Sequence, residues 1–388
     1  MLEKFNTYFK GDKIIWAVIF VLVLLSVLAV LSSISSLAYG EDGSNIAYYV
    51  FKHSSFLVIG LVIIYGLHHI PYKYFSRISQ LLLFIAVPLL VITLFFGISK
   101  NDASRWIELP GTGFTFQTSD LAKLALIMYL ARMLSLKQNK IKSYSEAFLP
   151  VVIPTLMVCA LILPANFSTA AILFLTALIL MFVGRIRTKY IIGLTTIIVV
   201  IISILLVIAL KSDWEGRWGT WQNRLTSYSN PTDGDNNFQS DQSKIAVATG
   251  GLFGKGPGNS IRRNFLPQPY SDFIFAIIVE EYGLIGGIVV VFLYLYLLFR
   301  AGVIVRQSTR TFPAFLAFGL TIMLVLQAMV NMGVAVGIFP VTGQPLPLIS
   351  MGGTSILFTS AAFGIILSVS RANTPPVKSE TEDDGEEE

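Results

Sequence analysis

The chain has 388 residues, of which 54% are apolar and only 13% charged, with a mean hydropathy of +0.70; water-soluble domains average about 45–50% and 25%, so a soluble fold is excluded. The net charge of +5 does not mark a nucleic-acid binder, because the basic residues are scattered among loops rather than gathered into one stripe. Cys159 lies alone in an apolar run, and His53, His68 and His69 lack ligand spacing, so neither a disulfide framework nor a zinc site is proposed.

Apolar windows fall at about 14–35, 55–70, 79–97, 119–136, 147–163, 168–184, 189–210, 273–299, 312–337 and 348–370. A bilayer core of about 30 Å takes about 20 apolar residues per helix, so ten helices use most of the chain. The first window follows Lys4, Lys10 and Lys13 and precedes Ser36-Leu37-Ala38, a pattern shared with cleavable signal peptides; its length argues for a retained anchor. With the N-terminus inside, seventeen Lys and Arg residues fall in inner segments, among them Lys73, Arg77, Lys140, Lys142, Arg187, Arg300 and Arg371. The short outer loops hold three, Lys52, Lys100 and Arg105. This bias puts both termini in the cytoplasm and the long segment 211–272 outside.

The expected architecture is therefore an all-α integral membrane protein of about ten transmembrane helices, with one large extracytoplasmic loop between helices 7 and 8. The membrane domain spans 1–371. The tail 372–388 carries Pro375-Pro376 and a run of Glu and Asp, and is expected to be a disordered cytoplasmic segment. No repeat of 20–50 residues is visible, which gives an inverted-repeat transporter no support.

Ionisable residues in or beside membrane helices are functional candidates by default, and three clusters qualify. The first is Arg105-Trp106 followed by Gln117-Thr118-Ser119-Asp120 and Lys123, with Ser119 expected as a helix N-cap and Asp120 and Lys123 three apart on one face. One reading is a salt bridge locking a helix end; the other makes Lys123 and Arg105 binders of an anionic head group.

The second cluster is Gln242-Ser243, the glycine-rich run from Gly250 to Ser260 containing Lys255 and Gly256, then Arg262, Arg263 and Ser271-Asp272. The glycines allow amide N–H groups to be offered to a phosphate, although the Gly-Lys spacing is not that of a Walker A loop. Asp272 is expected to open the eighth helix beside Phe273-Ile274-Phe275, either as a plain N-cap or as a reactive carboxylate. Glu280 and Glu281 lie eight and nine residues on, roughly 12–14 Å along a helix, too far to share one small site; they suit a proton relay or bonds to neighbouring helices.

The third cluster begins at Asn331, with Gly333 and Gly337 as a small-residue pair for helix packing. It continues through Pro345, Ser350, Gly352 and Gly353, irregular backbone that at a membrane edge must be buried in protein or line a wet cavity.

The motifs RWI at 105–107, FQTSDLAKLA at 116–125, QS at 242–243, the glycine-rich stretch, FLPQPYSDFIFAIIVEEYGLIGG at 265–287 and PVTGQPLPLISMGGTS at 340–355 together resemble the SEDS family (shape, elongation, division, sporulation) of bacterial cell-wall proteins over residues 12–371. The wording at 331–347 is closer to the division branch than to the elongation branch. Departures are visible: a usual Gln-Pro-Ser-Glu reads Gln117-Thr118-Ser119-Asp120, Asp-Leu-Gly-Thr reads Asn166-Phe167-Ser168-Thr169, and Tyr-Gly-Gly reads Met351-Gly352-Gly353.

The resemblance implies a peptidoglycan glycosyltransferase of the inner (cytoplasmic) membrane that polymerises lipid II, a disaccharide-pentapeptide on undecaprenyl pyrophosphate, at the outer face. Asp272 matches the family's essential aspartate and would serve as general base. Arg105, Lys123, Arg224, Lys255, Arg262 and Arg263 are the outer-face cations available to the leaving pyrophosphate; Mg or Mn could share that task, though no ligand cluster is evident. A class B penicillin-binding protein transpeptidase and other divisome proteins are the implied partners. Two alternatives are a lipid II flippase using Glu280 and Glu281, and a non-catalytic scaffold for the transpeptidase.

Overall fold

The computed structural model describes residues 10–34, 46–100, 103–108, 115–211, 234–266 and 268–373. The Ser36-Leu37-Ala38 motif, Arg224 and the acidic run of the tail lie outside them. In chain order the helices are α1 (Lys13–Ile34), α2 (Ile46–His69), α3 (Tyr72–Phe96), α4 (Thr118–Leu136), α5 (Leu149–Ile162), α6 (Phe167–Val183), α7 (Thr188–Lys211), α8 (Gly234–Gly250), α9 (Ile274–Gln307), α10 (Thr311–Ala335) and α11 (Thr354–Asn373). Each apolar window of the sequence coincides with one helix. Among the described residues eight helices are long and apolar enough to cross a membrane, and α6 is a shorter apolar one.

Two features depart from the expected plan. A small antiparallel sheet of β1 (Ile98–Lys100), β2 (Ala103–Glu108) and β3 (Thr115–Gln117) joins α3 to α4, with Trp106 opposite Ile98 on one side and Gln117 on the other. The 211–272 segment, read as a loop, contains α8, a polar helix that packs on α9 and α10.

α10 sits at the centre, against α4, α6, α9 and α11. Phe84, Phe95 and Phe96 of α3 and a long row from Ile192 to Ile208 on α7 stay exposed, the outward apolar surface expected of helices facing lipid rather than water. Helix ends are closed locally. The Asp12 carboxylate accepts from the amides of Ile14 and Ile15 at the start of α1, and Arg300 donates to it at 2.5 and 3.0 Å, binding α1 to the C-terminal part of α9.

Gly337, with φ +80°, ends α10, and the Ile338 amide turns back to the Gly333 carbonyl at 2.8 Å, a left-handed helix stop. A Cβ at Gly333 would meet the Phe339 ring at 2.6 Å and one at Gly337 the Lys244 side chain at 2.6 Å. Gly333 therefore serves the turn after α10, while Gly337 ends that helix and lets it fit closely against helix α8.

Candidate active site

The structure divides the residues singled out in the sequence into two assemblies at opposite ends of the first turns of α9. The upper one forms where the turn before α9, the irregular segment 340–353, β2 and the first turns of α4 and α6 meet.

Asp272 is half-buried two residues before α9. The position before the helix is held by Phe273, so Asp272 is not the N-cap the plainer reading made it. Its main chain is clamped: Asn331 Nδ2, from α10, donates to the Asp272 carbonyl at 2.9 Å and to the Gln344 carbonyl at 2.7 Å. Next to it, Ser350 Oγ donates to the Ser271 carbonyl at 2.6 Å and accepts from the Leu346 amide at 2.7 Å, while the Met351 amide donates to the Tyr270 carbonyl. On the carboxylate itself, Oδ1 accepts from Ser271 Oγ at 3.0 Å.

Gly343 faces Oδ2. Its φ of +65° favours glycine, and a Cβ there would lie 3.5 Å from Asp272 Oδ2 and 3.8 Å from Arg105 Nη1. A carboxylate and a guanidinium thus converge on one point of half-buried backbone. The sheet delivers Arg105, whose Nε donates to the Ala165 carbonyl at 3.0 Å, just ahead of α6; Trp106, next to it in β2, is half-buried. Arg105 also lines a narrow crevice of about 20 Å³, room for one water, with Thr118, Ser119, Asn166 and residues of α3 and α5.

Around this centre, buried polar side chains tie the elements together. Lys123 pairs with Asp120 at 2.8 Å, both almost fully buried, and donates to Gln327 Oε1 at 3.2 Å; Gln327 Nε2 reaches the Pro345 carbonyl at 2.9 Å. The salt bridge that locks the helix end is therefore formed, and it also anchors the 340–353 segment. Ser119 is not the N-cap of α4, as expected from sequence: the helix starts at Thr118 with Gln117 at the cap, and Ser119 Oγ accepts from Gln117 Nε2 at 3.0 Å. Asn166, where the resemblance had a carboxylate, caps α6 by accepting from the Thr169 amide at 3.2 Å, and Gln344 Nε2 donates to Thr169 Oγ1. Gly352 and Gly353 turn the chain into α11, the latter with φ +53°.

Asn331, Gln344 and Gly343 carry most of this geometry. The Asn331–Ser355 cluster was visible in the sequence, but nothing in spacing shows which of its side chains reaches Asp272. Tyr270 is a further neighbour: burial, then the nearby Tyr49 and Asp272, push its phenol above the usual value of 10.

The lower assembly uses the remaining candidates for a structural purpose. α9 breaks at Gly283 (φ 71°, ψ −172°), freeing backbone groups that the glycine-rich run satisfies. The amides of Lys255 and Gly256 donate to the Glu280 and Glu281 carbonyls, both at 3.0 Å, and the Leu284 amide donates to the Gly251 carbonyl at 2.9 Å. Added Cβ atoms at Gly250, Gly254 or Gly283 would come within 2.1–2.2 Å of backbone carbonyl oxygens. The glycines allow a backbone splice, and the amides of Lys255 and Gly256, two of those that could have faced an anion, are engaged in it.

The side chains follow. Glu280, fully buried, accepts from Lys255 Nζ at 2.5 Å, Ser260 Oγ at 2.5 Å and the amides of Ile261 and Arg262 at 3.3 and 3.2 Å. Glu281 accepts from Ser32 Oγ of α1 and the Ser260 amide, with Arg263 Nη1 at 3.9 Å. Arg262 Nη1 donates to Gln242 Oε1 at 3.0 Å, and Ser243 Oγ to the Ala335 carbonyl at 2.8 Å. Glu280 and Glu281 thus bond neighbouring elements.

Among the described residues no three His, Cys, Asp or Glu side chains gather to hold a metal ion, and the group converging with Asp272 is the Arg105 cation, which repels a dication.

Comparison with known proteins gives this geometry its context. Residues 12–375 match the family model of the FtsW, RodA and SpoVE cell cycle proteins. The chain is 34% identical over 329 residues to the probable peptidoglycan glycosyltransferase FtsW of Geobacter metallireducens, covering 83% of this chain and 85% of that one. It is 33% identical to its counterpart in Coxiella burnetii, covering 91% and 95%. Among solved structures, a chain of a peptidoglycan synthase complex coordinating polymerization and crosslinking superposes with a TM-score of 0.72 at 24% identity, over 94% of this chain and 99% of that one. The Thermus thermophilus rod shape determining protein RodA does so with 0.67 at 23%, over 94% and 97%; at these identities the likeness is one of fold. With its apolar helices, the chain is a multi-pass membrane protein and belongs to the FtsW/RodA/SpoVE family of cell cycle proteins.

Proposed function

We propose that this chain is a peptidoglycan glycosyltransferase of the division type, polymerising lipid II at the outer face of the cytoplasmic membrane with Asp272 as general base. The observation that carries the reading is the convergence of Asp272 Oδ2 and Arg105 Nη1 on Gly343, in a chain whose relatives are called probable peptidoglycan glycosyltransferases.

In this reading Asp272 takes the proton of the acceptor 4-hydroxyl as that oxygen bonds to the donor's anomeric carbon, and the lipid pyrophosphate departs with the bonding electrons. A placed base contributes typically about 10²–10⁴-fold. Arg105 stands where it can balance charge developing on the pyrophosphate, and a fixed cation costs no reorganisation during reaction. Trp106 flanks it, and Gln117, Ser119, Pro345, Ser350, Gly352 and Gly353 shape the surrounding backbone. Lys123 acts through Asp120 and Gln327, as a positioning residue.

The outer placement rests on the charge bias of the loops, with both termini inside. Lys255, Gly256, Ser260, Arg262, Arg263, Gln242 and Ser243 support the site from the splice in α9. A penicillin-binding transpeptidase is the proposed partner, in keeping with a fold shared with a chain of a peptidoglycan synthase complex. The flippase reading loses its main feature, because Glu280 and Glu281 are engaged by Lys255, Ser260 and Ser32. The test is purified protein in liposomes with lipid II, alone and with its cognate transpeptidase. Glycan strands support the reading; movement of lipid II across the bilayer with no polymer under either condition contradicts it.

A further inference from the structure

The helices that hold the site at one end also frame a basic depression at the other. α4 ends at Leu136 and runs through a turn at Gln138–Lys140 into a single π turn at Tyr144–Phe148, which leads into α5. Opposite, α6 ends at Val183, the chain reverses through Arg185 (φ 67°), and α7 begins at Thr188. Between the two turns lies a depression of about 530 Å³ lined by Lys140, Lys142, Tyr144, Glu146, Arg187 and Tyr190, among others.

Its charge is unbalanced. Glu146, the carboxylate of the lining, pairs with Lys140 at 2.6 Å. Among the described residues no carboxylate lies within 4.0 Å of Lys142 or Arg187, and both are exposed.

Two further lining residues, Tyr144 and Tyr190, form with Phe148 a triangle of rings with centroids 5.2–5.4 Å apart. The adjoining helix ends are open and apolar: Phe182 at the end of α6 and Ile192 in the first turns of α7 are 64% and 60% exposed. Exposed cations, aromatic rings and open apolar surface at the same helix ends match an amphiphile bearing a phosphate, since basic pockets between helices on the cytoplasmic side suit acidic lipid head groups and aromatic rings settle at the headgroup level. A free anion has no use for the aromatic and apolar parts.

We propose that this depression binds the phosphodiester head group of an anionic phospholipid from the inner leaflet, with Lys142 and Arg187 on the phosphate, Tyr144 and Tyr190 beside the glycerol, and acyl chains along α7. The site is separate from the Asp272 centre and does not depend on its assignment.

The experiment is native mass spectrometry of the full-length protein in detergent, titrated with phosphatidylglycerol or phosphatidylcholine. The preference for phosphatidylglycerol should fall roughly 5-fold for Lys142→Gln or Arg187→Gln alone and about 25-fold for both, each basic residue near such a surface contributing about that factor. Lys73→Gln/Arg77→Gln removes two other exposed inner cations and should leave the preference unchanged; an equal loss there would reduce the effect to overall charge and overturn the proposal. Competition by inorganic phosphate at the concentrations effective for the lipid would make this a free-anion site and overturn it as well. All these positions are exposed, so unchanged melting of the variants is expected and separates lost binding from misfolding.

Discussion

Replacing Glu280 by Gln tests whether the carboxylates of α9 are structural. The side chain is fully buried and takes four donors, Lys255 Nζ and Ser260 Oγ at 2.5 Å and two backbone amides at 3.2–3.3 Å. Gln keeps the volume, so no cavity opens. It keeps one acceptor oxygen, turns an amide against the remaining donors, and leaves Lys255 without its counter-charge. Hydrogen bonds to charged groups contribute about 1.5–3 kcal/mol each, and breaking a buried ion pair costs about 3–5 kcal/mol. Because the Lys255 side chain is 26% exposed, water relieves part of that, and a loss of about 3 kcal/mol is expected. Unfolding in detergent, followed by thermal or denaturant titration, measures it. Adding Lys255→Met should restore part of the loss, because the stranded cation is gone. A Glu280→Gln protein that unfolds like wild type but has lost function would refute the reasoning, since the carboxylate would then act by titrating rather than by joining the splice.

Further outcomes follow from the same geometry. Gly283→Ala should cost more than about 3 kcal/mol, combining a nearly glycine-only conformation, worth about 1–3 kcal/mol, with a Cβ 2.2 Å from the Leu252 carbonyl; Gly302→Ala, with open space around it, should be neutral or slightly stabilising, and equal melting of the two contradicts the splice. Asn331→Leu leaves the Asp272 and Gln344 carbonyls without this donor. It should lower lipid II polymerisation by up to about 10²-fold, the effect of a reactive group displaced by an ångström, in protein that still folds; wild-type turnover would show that the clamp does not set the carboxylate. The Tyr270 phenol, raised by burial and then by Tyr49 and Asp272, stabilises the fold below pH 10. Above that value the unfolded chain ionises first, so stability should fall as pH rises, with a smaller slope in Tyr270→Phe; an identical slope would mean the phenol is not buried.

The helices were legible because a long apolar run in lipid has one way to satisfy its backbone, and all ten windows found their helix. The three-stranded sheet was not, because strands of three to six residues carry too little alternation to separate from loop. α8 escaped for a related reason: Gly234–Gly250 has no apolar face of its own, and its position comes from docking on α9 and α10.

In the site, Asp272, Arg105 and the 340–353 segment stood out by charge and by proline and glycine content. Their meeting depends on long-range bonds such as Asn331 to Asp272, which no local pattern encodes. The glycine-rich run shows the limit most clearly: the same glycines that let amides approach a phosphate also let them approach the carbonyls of a broken helix, and only the position of Gly283 decides between the two.

The most direct test of the account is the pH–rate profile of lipid II polymerisation by wild-type protein and by Asp272→Asn, with folding checked by melting. The account predicts an Asn variant that melts normally, binds lipid II and polymerises at least about 10²-fold more slowly, with the acidic limb of the wild-type profile gone. An Asn variant that makes strands at the wild-type rate, or keeps that limb, would contradict the assignment of Asp272 as the base.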